Sequence, residues 1–103
     1  MNNSEYMYVF VREDLSVAQQ IVQLGHATYD VGTKHPRSSS PNFVLIGVKN
    51  EQKLLELSEW LHTNETDHHM FFEPDVDQHT AIATKPISGS KRDIFRKFKL
   101  YGR

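Results

Sequence analysis

No cysteine occurs in the 103 residues. Disulfides, thiolate zinc sites and a cysteine nucleophile are therefore excluded together, and a reducing, cytoplasmic setting is the simplest expectation. Long apolar runs are also missing, since no stretch approaches the roughly 18 apolar residues of a membrane span. The opening MNNSEYMYVFVR has no basic start, apolar core or small-residue cleavage site, so neither a secretory signal nor membrane contact is expected. Excess charge of one sign is absent as well. A formal net charge of −1 argues against a general polyanion binder, because such affinity comes mainly from Lys and Arg on phosphates. The average conceals an asymmetry: Lys85, Lys91, Arg92, Arg96, Lys97, Lys99 and Arg103 face the single acid Asp93 at one end of the chain. Local phosphate contact stays open there. Internal repeats are lacking, and the length suits one domain.

The residues present read as an α/β chain. YMYVFVR, from Tyr6 to Arg12, is β-branched and aromatic without helical spacing, which predicts a central strand buried on both faces. Asp14 and Ser16 are helix-start residues, and Ser16 with Gln19 matches a capping box. The helix is expected to run to about Val31 and to close at Gly32. Thr33 to Asn42, with two prolines and three serines, reads as an exposed connector. FVLIGV from Phe43 to Val48 is a second buried strand. Asn50 caps a helix to about His62, with Leu54, Leu57, Trp60 and Leu61 on its apolar face. Met70 to Glu73 and His79 to Lys85 read as two further strands around an EPDVDQ turn. Pro86 ends the last strand, Ser88 or Ser90 caps a final helix packed by Ile94, Phe95 and Phe98, and Leu100 and Tyr101 continue as an extended tail. The order predicts a single three-layer domain with a mixed four-stranded sheet flanked by helices.

The first helix carries two opposed stripes. At about 100° per residue, Val17, Ile21, Leu24, Thr28 and Val31 share one side, and Gln19, Gln23, His26 and Asp30 share the other. The apolar stripe is expected to pack and the polar one to present chemistry. His26 is the one side chain of the polar stripe with an ordinary pKa near neutrality, so it is the candidate base or orienting donor; the plain alternative is a solvated helix face. Gln23, one turn earlier, can donate and accept at once. Arg12 can grip phosphate through its planar fork or pair with Asp14 or Glu13, the pairing being favoured. Asp14 reads as a helix cap. Glu73, Asp75 and Asp77 can supply a carboxylate to His26 or remain solvated turn acids. His68, His69 and Glu73 do not reproduce a zinc-helix spacing, and a strand sends adjacent histidines to opposite faces, so no metal site is assigned. In KRDIFRKFK the aromatic spacing suits core contacts, with Lys91 and Arg96 on a basic rim able to meet RNA phosphate.

RxDL, QxxHA, KLLEL, TAIATKP and FRKFKLY, in that order, resemble the type 2 peptidyl-tRNA hydrolases. The DHHMFFEP stretch and the FRKFKLY ending bring the chain closer still to the peptidyl-tRNA hydrolase domain-containing relatives of that family. The resemblance implies a mixed four-stranded sheet flanked by helices. It also implies hydrolysis of the ester between a peptide and the 3′ ribose of tRNA, with no metal and no cofactor. Arg12, Asp14, Leu15, Gln23, His26 and Ala27 match the family's first-helix pattern directly. Ala18 and Gln19 stand where the family has Gly and Lys, Ile21 and Val22 replace an Ala pair, and the interval from Leu15 to His26 is two residues shorter.

The family's D-A-G-x-T-Q element is contracted to EPDVDQ, so that Glu73 or Asp75 can stand for the Asp and Gln78 for the Gln, with Thr80 opening the next strand. On this resemblance His26, Gln23, Glu73 and Asp77 are the candidate catalytic residues. Arg12, Gln19, Gln78, Thr80, Lys91 and Arg96 are the candidate contacts to a peptidyl-tRNA substrate. A rival expectation is a catalytically inert tRNA-binding or protein-binding module that keeps the fold after losing the Lys. Members of the family often form dimers, so the resemblance leaves a homodimer open.

Overall fold

The computed structural model describes residues 4–103. The seven residues Tyr6–Arg12 form β1, and all but the first are buried, as expected of a strand covered on both faces. Helix α1 follows over Val17–Lys34, then β2 over Asn42–Val48, α2 over Glu51–Thr63, β3 over His68–Glu73, β4 over Gln78–Thr84 and a 3-10 helix over Gly89–Phe95. The sheet order is β2-β1-β4-β3. β1 pairs parallel with β2 and antiparallel with β4, and β3 pairs antiparallel with β4.

Alternation along the strands divides the interior into two layers. On one side Tyr8, Phe10, Ile46 and Ile82 pack with Leu54, Leu57 and Leu61 of α2 and with Phe95. On the other, Met7, Val9, Ala81 and Ala83 pack with Ala27 and Val31 of α1. This is the predicted three-layer α/β domain with a mixed four-stranded sheet. The tail beyond the 3-10 helix crosses the edge of β2: Leu100 bridges Ile46, the Tyr101 N–H donates to the Leu45 carbonyl, and the Tyr101 hydroxyl donates to Gln20 Oε1 at 2.6 Å. It ties the α2 layer to the α1 layer.

Three local expectations are corrected. Gly32 does not close α1. The helix continues through it to Lys34, and the His35 N–H donates to the Val31 carbonyl. The final element is a 3-10 helix that starts after Ser88, whose side chain makes no cap hydrogen bond, with Gly89 at φ 66° turning the chain into it. The largest correction concerns the faces of α1. Val17 and Ile21 are 65% and 64% exposed, whereas Gln20, Gln23, Ala27 and Val31 are the buried residues. The packing face is therefore turned towards the polar stripe, because the glutamines find internal hydrogen-bond partners and enter the interior without loss.

Candidate active site

The polar stripe of α1 lies along β3, one of the two edge strands, and the two run in opposite directions. Gln23 meets Glu73, His26 meets Phe71 and Asp30 meets His69. Two residues of strand advance about 6.6 Å and one helical turn about 5.4 Å, which keeps three successive pairs in step. Of the three, the Gln23–Glu73 pair opens onto a larger polar network.

Gln23 is the centre of that network, with 1% of its surface exposed. Its Oε1 accepts from the Thr80 hydroxyl at 3.0 Å, and its Nε2 donates to Gln19 Oε1 at 3.3 Å and to Glu73 Oε2 at 3.2 Å. The backbone N–H of Asp75 donates to the other Glu73 oxygen at 3.2 Å. Glu73 is thus held by two neutral donors, and among the described residues it makes no ion pair. Gln19 is exposed. With its carbonyl engaged by Gln23, its Nε2 has no acceptor among the described residues. A half-exposed, oriented carboxylate and an amide with an unengaged Nε2 are thus both tied to the one Gln23 Nε2, a carboxylate base and a neutral donor in the same network.

A β-bulge makes this convergence possible. Phe71 pairs with Ala81 but Phe72 pairs with His79, so Thr80 has no partner in the ladder. The extra residue breaks the alternation and brings Thr80 to the α1 side next to Ala81, while His79 turns to Glu51 at the start of α2. No sequence pattern marks that bulge.

Other candidates are placed elsewhere. His26 is exposed and makes no polar contact with Glu73; its ring lies flat on Phe71, with centroids 4.5 Å apart and planes within 5°. The structure therefore does not bring His26, the candidate base or orienting donor, together with the carboxylate expected beside it, and nothing in the local sequence marks Phe71 as its partner. Asp77 sits at the tip of the β3–β4 turn with φ 54° and an exposed side chain. It is a turn residue outside the network.

Arg12 is 5% exposed and fully engaged: Nε and Nη2 form a fork on Asp14 at 2.9 and 2.8 Å, and Nη1 donates to Gln78 Oε1 at 2.7 Å and to the His79 carbonyl at 3.0 Å. That fork holds the Asp14 carboxyl below its usual range. Arg12 and Gln78 therefore fasten the end of β1 to the start of β4; of the two readings of Arg12 the favoured pairing with Asp14 is the one formed, and Asp14, read as a helix cap, is taken up by that fork while Ser16 caps α1. Lys91 and Arg96 belong to the α2 layer, across the sheet from Gln23, with Arg96 paired to Asp93 at 3.3 Å on the surface. Neither is part of the Glu73 network.

No protein-family model and no curated protein matches the chain. A solved structure does: a protein of unknown function, Atu0240, from Agrobacterium tumefaciens strain C58, superposes with a TM-score of 0.67 at 12% identity over 98% of this chain and 99% of that one. At that identity the likeness is one of fold.

Proposed function

We propose that this protein is a peptidyl-tRNA hydrolase-like ester hydrolase in which Glu73 is the general base. The observation that carries the reading is the meeting of Gln19, Gln23, Glu73 and Thr80, from two strands and a helix, in a single hydrogen-bonded network. These are positions to which the sequence resemblance assigns substrate chemistry. In this mechanism Glu73 takes a proton from water as the water oxygen adds to the ester carbonyl. The Gln19 amide donates to the resulting oxyanion, and the proton passes to the ribose 3′ oxygen as it leaves. Gln23 and Thr80 are sealed from solvent and act as positioning residues for Glu73 and Gln19.

One observation favours a second reading, a tRNA-binding module without catalysis. Gln19 is neutral where the resembled family has a lysine, and a neutral hydrogen bond is about half as strong as a charged one. Release of peptide from a defined peptidyl-tRNA separates the two. The hydrolase reading expects turnover that Glu73→Gln lowers by about 10²–10⁴-fold and Gln19→Lys raises. No release by the wild type, with tRNA still bound and that binding weakened by salt, leaves the binding module.

A further inference from the structure

On the face of the sheet away from Gln23, a groove of about 460 Å³ runs between α2 and the segment that follows the 3-10 helix. Its floor is Val48, Leu57, Trp60 and Phe98, with Gly47 at one end and Lys49, Lys53, Glu56 and Lys97 along its rim. The Trp60 ring stands edge-on to Phe95 and Phe98 at 5.9 and 5.4 Å, and Lys97 Nζ lies 4.1 Å over it. These contacts fix the floor and hold a cation directly above it.

The rim charges are unevenly paired. Glu56 is committed to α2, accepting from Gln52 at 3.2 Å and pairing with Lys53 at 3.5 Å. Lys49 and Lys97 have no carboxylate partner among the described residues. The Glu13 side chain lies across Gly47, in the space a Cβ would take, and is a second acid beside the groove lining. An apolar floor beneath two unpaired ammonium groups matches a ligand with an apolar body and a negative head.

We propose that this groove binds a small amphiphilic anion, its hydrocarbon body lying on Leu57, Trp60 and Phe98 and its carboxylate or phosphate head between Lys49 and Lys97. Trp60 is the protein's single tryptophan, so its emission reports occupancy directly. The full chain is titrated with decanoate below its micellar range, alongside decanol as the neutral chain of equal length, and equilibrium dialysis of labelled decanoate gives a second readout. Decanoate should produce a saturable change in emission and bind about tenfold more tightly than decanol. Lys97→Glu and Lys49→Glu should each weaken decanoate about tenfold by dialysis while leaving the melting temperature within a few degrees, and Lys34→Glu, on α1, should change nothing. Absence of saturation, equal binding of decanol and decanoate, or unchanged decanoate binding in Lys97→Glu would each overturn the assignment.

Discussion

The Thr80 hydroxyl donates to the Gln23 side-chain carbonyl across 3.0 Å, joining an unpaired residue of a β-bulge to a glutamine buried in the middle of a helix face. Both residues are 1% exposed, so the bond has no water to replace it. Thr80→Val removes the donor and keeps the shape, leaving Gln23 Oε1 unsatisfied at a cost of about 1–3 kcal/mol. For a domain of this size each kcal/mol lowers the melting temperature by roughly 4–8 °C. A double-mutant cycle with Gln23→Leu should give a coupling of about 0.5–3 kcal/mol. Strict additivity would mean that the two side chains do not act as one unit.

Arg12 is predicted to matter for stability rather than for substrate. Its guanidinium supplies four hydrogen bonds to Asp14, Gln78 and the His79 carbonyl, and lysine cannot reproduce a planar fork. Arg12→Ala leaves the Gln78 and His79 acceptors unpaired, while water resolvates the exposed Asp14, and should destabilise by about 1–3 kcal/mol in urea unfolding, with Arg12→Lys intermediate. The salt dependence of tRNA binding should be the same for Arg12→Lys as for the wild type, since no phosphate contact is lost. A slope reduced by about one in that variant would restore the phosphate role.

The Arg12–Asp14 fork also gives stability a direction with pH. Arg12 holds the folded-state pKa of Asp14 below its ordinary value by hydrogen bonding and charge. A depressed carboxyl pKa stabilises the fold above the unfolded value of about 3.9, and the contribution is lost as pH falls through the folded value. Thermal melts should therefore fall from about pH 5 downwards, and Asp14→Asn should flatten that part of the profile while lowering the melting temperature at neutral pH. An unchanged acid limb in Asp14→Asn would remove Asp14 from the account.

Local pattern carried far in β1 and α2. The span Tyr6–Arg12 is legible because a strand buried on both faces reads as a continuous apolar run, here closed by the paired Arg12, and Asn50 is legible as a cap because it is one, accepting from the Lys53 N–H at 3.0 Å. The candidate site was legible in its members but not in its geometry. Gln23, Glu73, Gln19 and Thr80 can each be named from the chain, yet their joining depends on a bulge that changes no hydrophobic count. His26 misleads for a related reason: titration chemistry marks imidazole as a base, while stacking on Phe71 comes from a strand forty-five residues away. The tie from Tyr101 to Gln20 is equally invisible, being a contact between residues 81 positions apart.

Helix α1 shows why amphipathic counting alone misplaced a face, and two substitutions test the corrected one. Counting ranks Val17 and Ile21 inside and Gln23 outside, because it scores residues before their partners are known. The fold reverses this, since Gln20 and Gln23 are fully bonded inside and Ala27, at 0% exposure, is the small residue that lets the helix lie close to Val9 and Ala81. Ile21→Lys should then change stability by no more than about 0.5 kcal/mol. Ala27→Leu, a gain in helix-forming apolar bulk on paper, should cost about 1–3 kcal/mol by overpacking the α1 layer. Chemical unfolding of the two variants reads the difference directly; if Ile21→Lys proved the more damaging, the helix would have to be turned back towards its apolar stripe, and the Gln23 network with it.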